Sequence, residues 1–91
     1  MEYLETLQKE NISMNDYLKK IKKILVEKAG VEPAEITDNS YFYDDLNLGE
    51  IEMMEIITEL EDAYEVTLPE DEVEEVESVG DLVNLLIEHV E

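Results

Sequence analysis

Across residues 15–29 the apolar side chains Tyr17, Leu18, Ile21, Ile24, Leu25 and Ala29 return every three or four positions, the pattern of one face of an α-helix. The lysines between them face outward, Gly30 supplies a stop, and Lys28 complements the negative end of the helix dipole. A second stripe follows Gly49, with Met53, Ile56, Ile57, Leu60 and Tyr64 at i, i+3, i+4, i+7 and i+11. Its flanks carry Glu52, Glu55, Glu59, Glu61 and Asp62, while Ile51 and Met54 lie beside the stripe rather than in it. Those two positions suit either the margin of a core or a binding surface. Pro69 suits the first turn of a short helix over residues 70–76, with Val73 and Val76 inward. Ser78 and Asp81 form an S-x-x-D capping box for a last helix whose buried face is Val79, Leu82, Val83, Leu86 and Val90.

Between the first two helices, residues 31–49 have no period and are rich in turn formers, so they read as a long loop. Ile36, Phe42 and Leu46 look like anchors that tie this loop to a core, with Val31 and Leu48 as further candidates. Only Glu65-Val66-Thr67-Leu68 has the character of a strand, and it is short and lies between helices. Residues 1–13 carry a weak stripe and read as an extension, helical or disordered, ahead of one domain over residues 14–91. The expected fold is all-α: a small four-helix bundle of three longer helices and one short one.

Composition narrows the function. The 91 residues hold 26 acids against 6 bases, a formal charge of -20, yet 44% of them are apolar, which supports a folded core rather than a disordered acidic tail. With no Cys, no Trp and a single His, the chain is no disulfide scaffold, thiolate zinc module or cysteine-nucleophile enzyme. All six bases are lysines in the first 28 residues, beside five of the acids, so the other 21 acids fall in residues 29–91 without one Lys or Arg. A field of that sign disfavours nucleic acid as a partner and suits a basic protein surface, although a Glu-rich solvated helix face accounts for part of it. Acidic clusters such as Glu70-Asp71-Glu72 with Glu74-Glu75 offer weak divalent-cation binding at most, since no EF-hand loop is present. No apolar run is long enough to span a bilayer and no leader pattern is seen, so the expectation is a soluble, cytoplasmic monomer. His89, near the end of the last helix, reads as a surface or capping residue rather than a catalytic one.

The order of features resembles the acyl carrier protein family over about residues 16–90. The likeness is carried by Ile21-Lys22-Lys23-Ile24-Leu25-Val26-Glu27 with Gly30-Val31, by Ile36-Thr37 and by Phe42-Tyr43-Asp44-Asp45-Leu46. It continues through Glu55-Ile56-Ile57, Leu60-Glu61-Asp62-Ala63-Tyr64, Leu68-Pro69-Glu70-Asp71 and Ser78-Val79-Gly80-Asp81-Leu82 without an insertion. In that family the second helix opens with Asp-Ser-Leu, and a transferase attaches 4′-phosphopantetheine to the serine hydroxyl. The tripeptide that matches here is Gly49-Glu50-Ile51, so the resemblance puts Glu50 where the serine would stand.

A carboxylate has no hydroxyl for that phosphodiester, and Ser13, Ser40, Ser78 and Thr58 are all placed away from the start of the second helix. The expectation is therefore a chain without phosphopantetheine or any other cofactor. Glu50 reads either as a dipole-favoured helix start or as an anion kept where the arm's phosphodiester would lie. The resemblance puts partner contacts on Glu50, Ile51, Glu52, Met54, Glu55, Thr58, Glu61 and Asp62. The leading expectation is a non-enzymatic binding module that docks this acidic helix onto the basic surface of a synthase, acyltransferase, ligase or regulatory protein. The alternatives are a functional acyl carrier that uses an atypical hydroxyl and an acidic nucleic-acid mimic that inhibits a basic groove.

Overall fold

The computed structural model describes residues 14–91, so the extension expected over residues 1–13 lies outside the described residues. Four α-helices appear in order among the described residues: α1 Met14–Ala29, α2 Glu50–Tyr64, α3 Glu70–Glu74 and α4 Val79–Val90. A one-turn 3-10 helix, Pro33–Glu35, interrupts the first loop. It starts at a proline, whose fixed φ suits a first helical position and whose missing N–H costs nothing there. Helix α1 packs against both α2 and α4, and the short α3 packs on α4.

Each long helix buries the stripe its spacing predicts. Tyr17, Ile21, Ile24 and Leu25 of α1 meet Met53, Ile56, Ile57 and Leu60 of α2 and Val79, Leu82, Val83 and Leu86 of α4 in one core. Leu85 joins them, although it lies outside the stripe read for α4. It shares a surface recess with Glu72 and Val76, so the second apolar edge of α4 is explained by cover from the α3 region. Leu18 and Ala29 of α1, Tyr64 of α2 and Val90 of α4 are only partly buried.

The helix ends follow local chemistry. Gly30 takes φ +65 after α1, the left-handed geometry that glycine adopts without a Cβ penalty. The Ser78 hydroxyl accepts from the Asp81 N–H at 3.2 Å, and Asp81 Oδ2 accepts from the Ser78 N–H at 3.1 Å, which completes the expected capping box. Helix α3 ends at Glu74 rather than reaching Val76, and Pro69 sits at its N-cap rather than in its first turn. Carboxylates in the last turn oppose the helix dipole, and five of the six residues from 70 to 75 are acidic. No strand occurs among the described residues. Residues 66–69 run as an irregular connection, and the single β-type contact is an isolated antiparallel bridge between Tyr41 and Ser78.

The long loop is stapled to the start of α4. Phe42, Ile36, Leu46, Leu48 and Val31 are all buried, as their anchor role requires. The Phe42 N–H donates to the Glu77 carbonyl at 3.0 Å, the Val79 N–H to Ser40 at 2.9 Å and the Gly80 N–H to Asp38 at 2.7 Å. A Cβ on Gly80 would stand 2.8 Å from the Asp38 carbonyl oxygen, so this crossing requires glycine. Asn47, at φ 56, turns the chain toward α2 in a conformation that asparagine tolerates better than most residues.

Candidate functional site

Helix α2 begins one-sidedly. The Gly49 N–H donates to Glu52 Oε1 at 2.9 Å, which is half of a capping box, and glycine has no side chain to return the second bond. Glu50 is the first helical residue and is exposed, where a carboxylate gains about 0.3–1 kcal/mol from the positive end of the dipole. At the other end Glu65 takes a left-handed conformation, and the N–H of Val66 donates back to the Glu61 carbonyl at 3.1 Å. The Glu61 side chain also accepts from the Leu68 N–H at 2.8 Å, so it fixes the exit from α2.

On the outward face of α2 the ambiguous pair lies outside the core. Ile51 is 73% exposed and Met54 68% exposed, the two largest exposures among the large apolar residues of the described chain. They stand one turn apart beside the exposed Glu55, Thr58 and Asp62. Of the eight contact residues expected from the sequence, Glu50, Ile51, Met54, Glu55, Thr58 and Asp62 are exposed on α2. Glu52 and Glu61 are half-buried and occupied with backbone N–H groups, so part of their role is structural.

Two recesses flank this face, and Met54 with Thr58 forms the ridge between them. One, of about 440 Å³, lies toward α1 and is lined by Ile51, Glu55, Glu59 and Lys28 as well. Lys28 Nζ lies 3.5 Å from Glu59 Oε1, a half-exposed pair worth little after solvent screening. The other, of about 490 Å³, lies between α2 and α3, with Met53, Ile57, Leu68 and Tyr43 among its lining and carboxylates from Glu50, Glu70 and Glu74. Sequence reasoning named neither Tyr43 nor Glu59 as part of the site. Glu59 stands one turn after Glu55, and that spacing was the available signal. Tyr43 comes from the loop that leads into α2, and the packing of that loop brings it to the recess.

The hydroxyls are elsewhere or engaged. Ser40 is buried, donating to the Glu35 carbonyl at 2.8 Å and accepting from the Thr37 N–H at 3.0 Å. Ser78 caps α4, and Thr37 Oγ1 accepts from the Asn39 N–H at 3.3 Å. Thr58 is exposed but stands eight residues along α2 from Glu50, about 12 Å at the α-helical rise. Thr67 is exposed in the connection after α2, and Ser13 lies outside the described residues.

Two further groups of side chains lie away from the outward face of α2. His89 Nε2 lies 3.2 Å from Glu72 Oε1 and so ties α4 to α3 instead of capping its own helix. Ligand atoms of Glu72, Glu88 and His89 come within 4.8 Å of one another, and of the acidic cluster read as a weak divalent-cation binder at most, only Glu72 takes part. Two residues beyond His89, Glu91 Oε2 accepts from the Tyr17 hydroxyl at 2.8 Å. Burial, then the Glu91 carboxylate, raises the Tyr17 pKa well above its usual value. Tyr64, tilted against Tyr17 at 5.4 Å between ring centroids, is raised by burial and by Asp16. No helix among the described residues is long and apolar enough to cross a membrane.

Comparison with known proteins agrees with this architecture. A family model described as "Phosphopantetheine attachment site" matches residues 19–86. An acyl carrier protein of Zymomonas mobilis subsp. mobilis is 38% identical over 76 residues, 84% of this chain and 97% of that protein. An acyl carrier protein of Clostridium acetobutylicum is 38% identical over 72 residues, 79% of this chain and 94% of that protein.

Proposed function

The chain belongs to the acyl carrier protein family, whose members are carriers and not enzymes, and we propose that it is a docking module of that family without a phosphopantetheine arm. The observation that carries the first half is the exposed Ile51–Met54 pair inside a ring of carboxylates on α2. Such a surface makes a small apolar contact while Glu50, Glu52, Glu55, Glu61 and Asp62 attract Arg and Lys around it, with Thr58 at its centre. The partner is a basic surface on a synthase, acyltransferase, ligase or regulatory protein, and the contact is transient and weakened by salt.

The residues at the start of α2 do not fit attachment of the arm. Glu50, Ile51, Glu52 and Met53 make up the first turn and contain no hydroxyl. Glu50 takes the attachment position and keeps an anion where the phosphodiester of a modified carrier would lie. Incubation with coenzyme A and a broad-specificity phosphopantetheinyl transferase, followed by intact mass spectrometry, tests this. The chain is expected to stay unmodified, and a Gly49→Asp/Glu50→Ser variant to gain one phosphopantetheine. Modification of the unaltered chain would overturn the reading, and an inert double variant would overturn the position assigned to Glu50.

One observation favours a second reading, a working acyl carrier with an atypical site: both curated relatives are named acyl carrier protein. Thr58, the exposed hydroxyl of α2, is its natural candidate. In the same experiment this reading requires a mass gain that Thr58→Ala removes.

A further inference from the structure

Helices α3 and α4 bring one imidazole and two carboxylates to a common point. His89 Nε2 lies 3.2 Å from Glu72 Oε1, and a carboxylate oxygen of Glu88 joins them, with all three ligand atoms within 4.8 Å of one another. The chain has 26 acids, so carboxylates that meet at its surface carry little information by themselves. The imidazole is what sets this group apart. His89 is the sole histidine, its side chain is 27% exposed, and its ring nitrogen meets an acid of the neighbouring helix. The charge around it is unbalanced: Glu72 and Glu88 line one recess with Glu75 and Asp81, and no Lys or Arg follows residue 28 in the chain. The Glu88 carboxylate has no hydrogen bond or ion pair among the described residues.

We infer that Glu72, Glu88 and His89 form a site for a divalent ion of the zinc type, which clamps α3 to α4. Ligand atoms that share a tetrahedral zinc ion at about 2.0–2.2 Å stand about 3.3–3.6 Å apart. The 3.2 Å between His89 and Glu72 is close to that spacing, so this pair needs little movement, and Glu88 closes the set by rotating an exposed side chain. The ion takes the position of the hydrogen between Nε2 and Oε1, and the ring proton then sits on Nδ1. Two carboxylates offset the two charges of the ion, and water fills the fourth position. An imidazole nitrogen favours zinc-type ions over Mg²⁺ and Ca²⁺, which take shells of oxygen. Helix α3 is only five residues long and packs on α4, so an ion held by both fastens the shortest helix of the described residues. The site lies off the outward face of α2 and is independent of the docking reading.

The test titrates the full chain, without a histidine tag, with Zn²⁺ alone. Because His89 is the sole histidine, its imidazole signals in ¹H–¹³C NMR report the site unambiguously. Zn²⁺ is expected to shift them saturably at one equivalent and to raise the melting temperature, since an ion that binds only the folded state stabilises it. Mg²⁺ at the same concentration is expected to leave the imidazole signals in place. Glu88→Gln, which removes no side-chain bond of the metal-free fold, is expected to weaken Zn²⁺ binding at least about tenfold, the lower end for loss even of a group that only orients a metal ligand. Glu70→Gln/Glu74→Gln removes two exposed acids of α3 outside the group and is expected to weaken it by less than about threefold, as screened surface charges do. Equal loss in these two variants, or an equal imidazole response to Mg²⁺, would mean diffuse charge screening and overturn the site. Zn²⁺ that leaves the His89 signals unmoved would overturn it as well.

Discussion

The Gly49 N–H donates to the Glu52 carboxylate at 2.9 Å, an unreciprocated side-chain bond at the start of α2. Glu52 thus has two roles to disentangle, since it is also on the acidic face. Glutamine can accept the same bond without the charge. Glu52→Ala is expected to lower stability by about 0.5–1 kcal/mol, in the range for loss of a cap, and Glu52→Gln by much less. Urea denaturation measures both. If the two variants were equally destabilised, the bond would not be what anchors the helix.

Met53 and Met54 are neighbours in sequence with opposite fates. Met53 is 6% exposed in the core and Met54 68% exposed on the outer face. Met53→Ala is expected to cost about 2–5 kcal/mol through lost burial and a cavity. Met54→Ala, and Ile51→Ala with it, is expected to stay within about 0.5 kcal/mol in stability. Partner affinity is expected to fall for the outer pair at unchanged stability, and denaturation paired with a binding titration separates the effects.

This contrast shows what was legible beforehand. The 3.6-residue period placed Met53, Ile56, Ile57 and Leu60 inside and left Ile51 and Met54 beside the stripe, because period reports angle around a helix directly. It could not say whether a neighbour covers that flank, which depends on where α1 and the loop lie. Leu85 was missed for the same reason, since cover from the α3 region gives α4 a second buried edge. The Ser78–Asp81 cap was readable because both partners are three residues apart. The Glu61–Leu68 and His89–Glu72 contacts join separate segments, so no local pattern announces them. Tyr43 reached the α2–α3 recess by the same route, through a loop whose course depends on its backbone bonds to Glu77, Val79 and Gly80.

Tyr17 gives a pH dependence with a definite sign. Burial, followed by the adjacent Glu91 carboxylate, raises its folded-state pKa above the value of about 10 for an unfolded tyrosine. The folded chain therefore holds the phenol proton that the unfolded chain releases. The contribution to stability is complete below about pH 10 and declines as pH rises from there toward the folded pKa. Tyr17→Phe is expected to be less stable at pH 7, where the bond to Glu91 is lost, and to show a shallower decline in alkali. Denaturation midpoints of both proteins between about pH 8 and 11 check this, and parallel curves would show that Tyr17 does not titrate in the way its burial requires.

Charge reversal on α2 tests docking most cleanly where the carboxylates have no structural duty. Glu52 and Glu61 are unsuitable, because each accepts a backbone N–H and its loss would perturb the helix ends. Glu55 and Asp62 are exposed and hold no such bond. Glu55→Lys/Asp62→Lys changes the formal charge from -20 by four units, and by relieving repulsion it is expected to leave stability equal or slightly higher. Affinity for a basic synthase or acyltransferase is expected to fall by about tenfold or more, mostly through a slower association rate, and the salt dependence to flatten. The same four-unit change made as Glu32→Lys/Glu35→Lys, in the loop after α1, controls for the net field. A partner that responds equally to both double variants senses only total charge. One that responds to Glu55 and Asp62 alone recognises the α2 face itself.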